Sequence, residues 1–188
     1  KKPITIQQCL GLVPQDIALY PNLTGSENLQ FWGRAYGLSG AALIKRISEV
    51  SEVIGITERL KDRVKKYSGG MKRRLNIGAA LLHNPEFIIM DEPTSAISDK
   101  EVEKLFGIIA ELKKKGVAII YISHKMEEIY RIADDITVLR DGNCMGTYKA
   151  CELSRDKLIL LMVGRELKDV YPQRVTDVGD EMLRVEGL

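Results

Sequence analysis

The sequence has 188 residues, 45% of them hydrophobic, and a formal net charge of +2. This length and apolar content suffice for one hydrophobic core of ordinary size. The near-neutral charge leads us to expect no nucleic-acid partner, and the longest apolar run, residues 158–163, is far too short to span a membrane. The three cysteines show no metal-ligand spacing, which favours reduced thiols in a cytosolic protein.

The chain begins with a predicted strand, which two predicted helices follow. Residues 9–13 are a short apolar run that indicates a strand, and Gln15 lies in the loop after it, where a glutamine is usually a plain surface residue. Thr24-x-x-Glu27 is a capping box and predicts the start of a helix. Ser39 is the predicted cap of the next helix, whose apolar stripe consists of Leu43, Ile47, Val50 and Ile54.

A Ser-Gly-Gly segment comes before the next predicted helix. Ser68 can cap this helix, which the pattern places from about Met71 to Leu82. Gly69 and Gly70 allow another molecule to approach the backbone closely, and the free N–H groups of a helix N-terminus favour an anion. The alternative is an ordinary capped loop.

Two adjacent carboxylates follow a continuous apolar run. Residues 87–90 have the composition of a parallel strand that is buried on both faces. Asp91 and Glu92 come at its C-terminal tip, where open α/β sheets bind ligands. An aspartate there can hold Mg²⁺, and a neighbouring glutamate can orient or deprotonate water. The alternative is that the pair only ends the strand and solvates a turn.

A histidine follows a second strand of the same kind. Ser98-x-x-Glu101 is a further capping box, and the helix after it leads to Val117–Ile122, a second predicted buried parallel strand. His124 comes two residues after the end of that strand and is a candidate site residue, although a histidine in this position is more often structural. A short helix, a hairpin with an Asp-Gly turn and a Ser154-capped helix complete the pattern.

These motifs, in this order, resemble those of the ATP-binding cassette (ABC) transporter ATPases. In that comparison, Gln15 is the Q-loop glutamine, Ser68-Gly69-Gly70 is the signature, residues 87–92 are the Walker B strand and His124 is the switch histidine. The resemblance implies an α/β fold class: a partial P-loop NTPase (ABC ATPase) three-layer fold with a helical subdomain, which lacks the Walker A strand-loop-helix.

The resemblance also implies roles and cofactors. ATP and Mg²⁺ are the expected cofactors, with Gln15 and Asp91 at the metal and Glu92 and His124 as the catalytic residues. Ser68, Gly69 and Gly70 are expected to contact the nucleotide of a second cassette in a dimer. The other expected partner is a transmembrane permease subunit or domain, and the expected location is the cytoplasmic face of a bacterial plasma membrane.

Two branches of the family are represented in one chain. Residues 11–93 resemble the ATPase half of exporters, whereas the chain from about Thr94 onward resembles tandem-cassette sugar-importer ATPases, as in Tyr121-Ile122-Ser123-His124-Lys125-Met126. Residues 182–188 resemble the first strand of a second cassette. A recombinant sequence and a natural lineage with mixed features are both consistent with this pattern.

The 188 residues contain no Gly-x-x-x-x-Gly-Lys-[Ser/Thr] motif. We therefore expect an N-terminally truncated cassette that is inactive alone but belongs to an ABC-type ATPase that drives transport. The expected domains are residues 1–23 with 86–168 as a partial catalytic core, 24–85 as a helical subdomain and 169–188 as a linker that leads into a second cassette. The alternatives are a non-catalytic fragment that offers its signature face to a partner cassette, and a soluble ABC ATPase with no transport function.

Overall fold

The structure is a computed structural model and describes residues 8–164 and 184–186. The helices and strands follow one another in this order: β1 (Leu10–Val13), α1 (Gly25–Ala35), α2 (Gly40–Val53), α3 (Gly69–Leu81), β2 (Phe87–Asp91), α4 (Asp99–Lys114), β3 (Ala118–Ile122), α5 (Met126–Ile132), β4 (Asp135–Arg140), β5 (Asn143–Lys149) and α6 (Arg155–Val163). The chain divides into two compact units, residues 1–134 and residues 135–188.

The first unit contains a parallel three-stranded sheet with strand order β1-β2-β3. One face of this sheet packs on α3 and α4, which buries Ile88 and Met90 completely. The prediction that β2 and β3 are buried on both faces is wrong, because alternate residues of β3 are exposed and Ile120 is 52% exposed. Since side chains alternate along a strand, helices on one face can bury only every second residue.

The helical part of the first unit confirms most of the sequence pattern. Thr24 and Glu27 form both bonds of the capping box at the start of α1. The four residues of the α2 stripe are all buried, so this stripe is part of the core. Ser39 occupies the N-cap position of α2, but its side chain makes no capping hydrogen bond. The expected side-chain cap is therefore wrong, although the helix begins where it was predicted.

The capping box predicted at Ser98 is also wrong. Ser98 is the N-cap residue of α4, but its side chain makes no capping bond. The Glu101 carboxylate instead lies 3.3 Å from Nε of Arg74 in α3 and 3.2 Å from Nζ of Lys104. The contact with Arg74 is an ion pair without hydrogen-bond geometry. Glu101 is thus used for packing between helices and not for capping.

The second unit contains an antiparallel hairpin, β4–β5, and helix α6. Asp141 and Gly142 both have positive φ, as the predicted tight turn requires. Ser154 accepts a hydrogen bond from the Lys157 backbone N–H and caps α6, as predicted. In the parts of both units that the structure describes, the helices are too short or too polar to cross a bilayer.

The domain boundaries stay a prediction. The expected linker and second-cassette strand fall on residues 169–188, and all of these except 184–186 lie outside the described residues.

Candidate active site at the ends of two parallel strands

The paired register of β2 and β3 brings the candidate catalytic residues together. Asp91 is the register partner of Ile122, so the two strands end side by side. The backbone N–H of Glu92 donates to Ile122 O at 3.0 Å and extends this pairing by one residue. The chain after each strand therefore starts from the same edge of the sheet.

Glu92 and His124 form a hydrogen-bonded pair at this edge. Oε1 of Glu92 lies 2.7 Å from Nδ1 of His124 and accepts a second hydrogen bond from the His124 backbone N–H at 3.2 Å. An ionised carboxylate can only accept, so Nδ1 carries the proton in this contact. The prediction that these two residues share a site agrees with this geometry, while their catalytic roles stay a prediction.

The second carboxylate oxygen of Glu92, Oε2, is buried and has no hydrogen-bond partner among the residues that the structure describes. Burial without a partner is costly for a carboxylate oxygen, so this atom favours a donor such as a water molecule. The Glu92 side chain is only 16% exposed, whereas that of His124 is 74% exposed. The pair therefore combines a fixed acceptor with an accessible ring.

Glu92 has a strained backbone. Its φ of 43° lies in the left-handed region, which residues other than glycine rarely adopt. Strain of this kind costs on the order of 1–3 kcal/mol and is concentrated at functional sites. The turn after β2 thus holds Glu92 in a backbone conformation that a glutamate on its own disfavours.

A buried arginine in the signature helix fixes the loop that contains Gln15. Arg73 is 3% exposed, and its guanidinium donates to Pro14 O at 2.7 Å and to Gln15 O at 2.6 Å. It also approaches Ser95 Oγ at 3.4 Å. Burial lowers the pKa of Arg73, while Asp16 and Asp91 act in the opposite direction. Arg73 therefore links α3 to the Gln15 loop and to the turn after β2.

The signature residues lie against the segment that leads into α4. Ser68 Oγ accepts a hydrogen bond from the Met71 backbone N–H and caps α3, as predicted. A Cβ added to Gly70 would meet the Glu101 side chain, and one added to Gly69 would lie 3.4 Å from Ala96 O. Ser68 and Gly69 are exposed. The signature turn thus keeps an accessible outer side, and a side chain at Gly70 would require the Glu101 side chain to move.

A buried polar network lies behind the Glu92–His124 pair. Oε2 of Glu128 accepts from Thr94 Oγ1 at 2.7 Å and from the Tyr121 hydroxyl at 2.8 Å, and Oε1 lies 3.1 Å from Lys125 Nζ. Burial by itself would raise the pKa of Glu128, but the hydrogen bonds from Thr94, Tyr121 and Lys125 outweigh it and lower the pKa. Burial, together with the bond to Glu128, raises the pKa of Tyr121.

The residues of the site fit an Mg²⁺ ion that a phosphate ligand also holds. No cluster of three or more His, Cys, Asp or Glu residues suited to a metal occurs in the described part of the chain. Asp91 supplies a single carboxylate at the edge of the sheet. This arrangement suits Mg²⁺, which proteins usually bind through one or two carboxylates and through substrate phosphates.

Arg73 and Glu128 were not among the site residues predicted from the sequence. One signal was present for Arg73, because residues 75–82 of the same predicted helix contain no charged side chain and only one polar one, Asn76, which indicates a largely buried helix. A cation in such a helix requires hydrogen-bond partners. Glu128 gave no comparable signal, since a glutamate in a short amphipathic helix is normally exposed.

Comparisons with known proteins agree with this arrangement. The family model described as ABC transporter matches residues 3–95. The linearmycin resistance ATP-binding protein LnrL of Bacillus subtilis is 44% identical over 167 residues, which is 87% of this chain and 54% of that protein. The ribose import ATP-binding protein RbsA 3 of Rubrobacter xylanophilus is 40% identical over 185 residues, which is 95% of this chain and 37% of that protein.

The chain thus spans about half or less of the length of these relatives. The motif order, the parallel sheet with the Glu92–His124 pair at its edge and the sequence matches agree with one another. The chain belongs to the ABC transporter family of ATP-binding proteins and has a partial P-loop NTPase fold.

Proposed function

We propose that the complete protein is the ATP-binding component of an ABC transporter and couples ATP binding and hydrolysis to transport. The observation that carries this proposal is the Glu92–His124 pair at the ends of two parallel strands, with one buried Glu92 oxygen available to a donor. This is the crevice position at which open α/β sheets bind ligands. ATP and Mg²⁺ are the proposed cofactors.

Each residue of the pair has a separate proposed role. Glu92 Oε2 orients the attacking water, because it is the free acceptor. His124, held at Nδ1 by Glu92, presents its Nε2 side toward the γ-phosphate. Asp91 and, from the neighbouring loop, Gln15 are the residues that would hold Mg²⁺. Bound there, the ion would neutralise part of the charge of the phosphate oxygens.

The proposed partners are a second cassette and a membrane permease. The exposed side of the Ser68–Gly69 turn, at the start of the 13-residue helix α3, suits a nucleotide held by the second cassette. Tyr20 and Phe31 form an edge-to-face pair and are both about 45% exposed. Exposed aromatic residues are enriched at protein interfaces, and this pair follows the Gln15 loop, so we place the permease contact there. The proposed location is the cytoplasmic face of a bacterial plasma membrane.

The test is Glu92→Gln in the complete protein, assembled with a Walker A segment and its permease. The amide keeps the size of the side chain but removes the charge and the basicity. We expect turnover to fall by roughly 10²–10⁴-fold, the usual contribution of a general base, and ATP binding to persist. Glu127→Gln is the matched control, because Glu127 is an exposed glutamate of α5. Turnover of the Glu92 variant within a few-fold of the parent would refute the assignment.

A further inference from the structure

The two residues of the candidate catalytic pair lie on separate segments of chain. Glu92 is on the turn after β2, and His124 is on the turn after β3. Only two hydrogen bonds between their own groups join them directly, at 2.7 Å and 3.2 Å. The His124 side chain is largely exposed, so it contributes little packing of its own. The strand pairing, which the Glu92 N–H to Ile122 O bond extends, sets where the two turns begin, so a further contact is needed only to hold the turns themselves.

Glu128 makes that contact with both turns. It is 8% exposed, and it accepts from Thr94, which is completely buried two residues after Glu92. It also pairs with Lys125, the residue after His124. Lys125 Nζ lies 3.4 Å from both O and Oγ1 of Thr94, so the two turns are also joined to each other.

The third donor ties this carboxylate to the sheet. The Tyr121 hydroxyl donates to Glu128 Oε2 at 2.8 Å, and Tyr121 lies in β3 opposite Met90 of β2. Glu128 therefore joins the sheet, the Thr94 turn and the Lys125 turn through one buried group. A carboxylate that receives three donors in a buried site is strongly oriented.

We propose that Glu128 is a positioning residue that sets the distance between Glu92 and His124. It does not contact the reacting atoms and acts through Thr94 and Lys125. The catalytic part of this inference rests on the proposed function, whereas its structural part, the fixed spacing of the two turns, does not. Displacement of a catalytic group by about 1 Å costs up to roughly 10²-fold in rate, so loss of this connection is expected to lower kcat.

The test is Glu128→Gln in the complete protein, with Glu127→Gln as the matched control. The isosteric amide keeps the volume but removes the ion pair with Lys125 and one acceptor. Hydrogen exchange measured by mass spectrometry, without nucleotide, reports the backbone N–H groups of Glu92, Ser95 and His124, which all donate within this region. We expect exchange in the peptides that cover residues 92–96 and 122–126 to become about tenfold faster, equivalent to about 1.4 kcal/mol, and to remain unchanged in the control.

The kinetic arm distinguishes positioning from general stability. We expect kcat to fall roughly 10–100-fold with little change in KM. The loss should also be much smaller when His124→Ala is already present, because residues that act together give non-additive effects. Thr94→Val removes one donor without changing the carboxylate, so it provides a milder variant if Glu128→Gln folds poorly.

Two results would overturn the inference. Exchange rates in both segments that match the parent in Glu128→Gln would show that the turns keep their spacing without this carboxylate. An equal loss of kcat with and without His124→Ala would show a structural effect only. If the parent hydrolyses no ATP, the proposed function fails, and the exchange experiment still decides whether Glu128 holds the two turns together.

Discussion

Replacement of Arg73 by methionine tests how firmly the Gln15 loop is held. Arg73 is the only residue among those described that hydrogen-bonds through its side chain to both Pro14 O and Gln15 O. Methionine keeps an unbranched apolar stem of similar reach but provides no donor. The change therefore removes the two bonds at 2.7 Å and 2.6 Å with little loss of packing.

The expected magnitude follows from opposing contributions. A hydrogen bond to a charged group contributes about 1.5–3 kcal/mol, so two contribute roughly 3–6 kcal/mol. Removal of a buried cation recovers part of the desolvation cost, and Gln15 is exposed, so water can reach its carbonyl group. We expect a net loss of about 2–4 kcal/mol in the free energy of unfolding. At this chain length, that corresponds to a Tm lower by roughly 5–15 °C.

The assay is urea unfolding of the parent, Arg73→Met, Arg73→Lys and Arg34→Met. Lysine can keep one of the two hydrogen bonds but cannot form the planar fork, so we expect an intermediate loss. Arg34 is exposed near the end of α1, and its replacement should cost less than about 1 kcal/mol. A free energy of unfolding for Arg73→Met within about 0.5 kcal/mol of the parent would refute the reasoning.

Two further substitutions test buried polar groups of the first unit. Asn28→Leu removes the side chain that hydrogen-bonds to both the N–H and the C=O of Tyr20. Because these backbone groups are left unpaired, we expect the free energy of unfolding, measured by urea titration, to fall by about 2–4 kcal/mol. An unchanged free energy of unfolding would contradict this. Tyr121→Phe tests a pH dependence. Because the folded-state pKa of Tyr121 is raised, mainly by burial, the hydroxyl stabilises the parent below about pH 10 and this stability is lost as the pH rises beyond that value. In urea titrations, the parent should thus keep its full advantage over Tyr121→Phe up to about pH 9 and lose it progressively above about pH 10, and a difference that stays constant up to about pH 11 would argue against it.

Local sequence patterns predicted the elements that depend on neighbouring residues. The capping box at Thr24, the Ser68 and Ser154 caps and the Asp141–Gly142 turn all have the expected bonds or dihedral angles. Each of these features involves groups within three residues of one another, so chain geometry alone brings the partners together. The family resemblance added the proposed site residues, and the comparisons with known proteins support the same family.

The same patterns were wrong where a distant partner competes for a side chain. Ser98 and Glu101 have the spacing of a capping box, yet Glu101 pairs with Arg74, which is 27 positions earlier in the sequence. In β3, the apolar composition predicted burial on both faces, but Ile120 and Ile122 are about half exposed. A propensity describes the segment alone, whereas the helices that pack against it decide which groups are buried.

The sequence by itself determined the family, the order of the elements and the residues that follow each strand. Only the tertiary structure decided which of these residues meet. The parallel register of β2 and β3 places Glu92 beside His124. Arg73 and Glu128 are buried, whereas most charged residues near them in the sequence are exposed, and this difference is visible only in the folded chain. The physical reason is that a buried charge is tolerated only where several donors or acceptors from distant segments converge on it, and that convergence is a property of the folded chain.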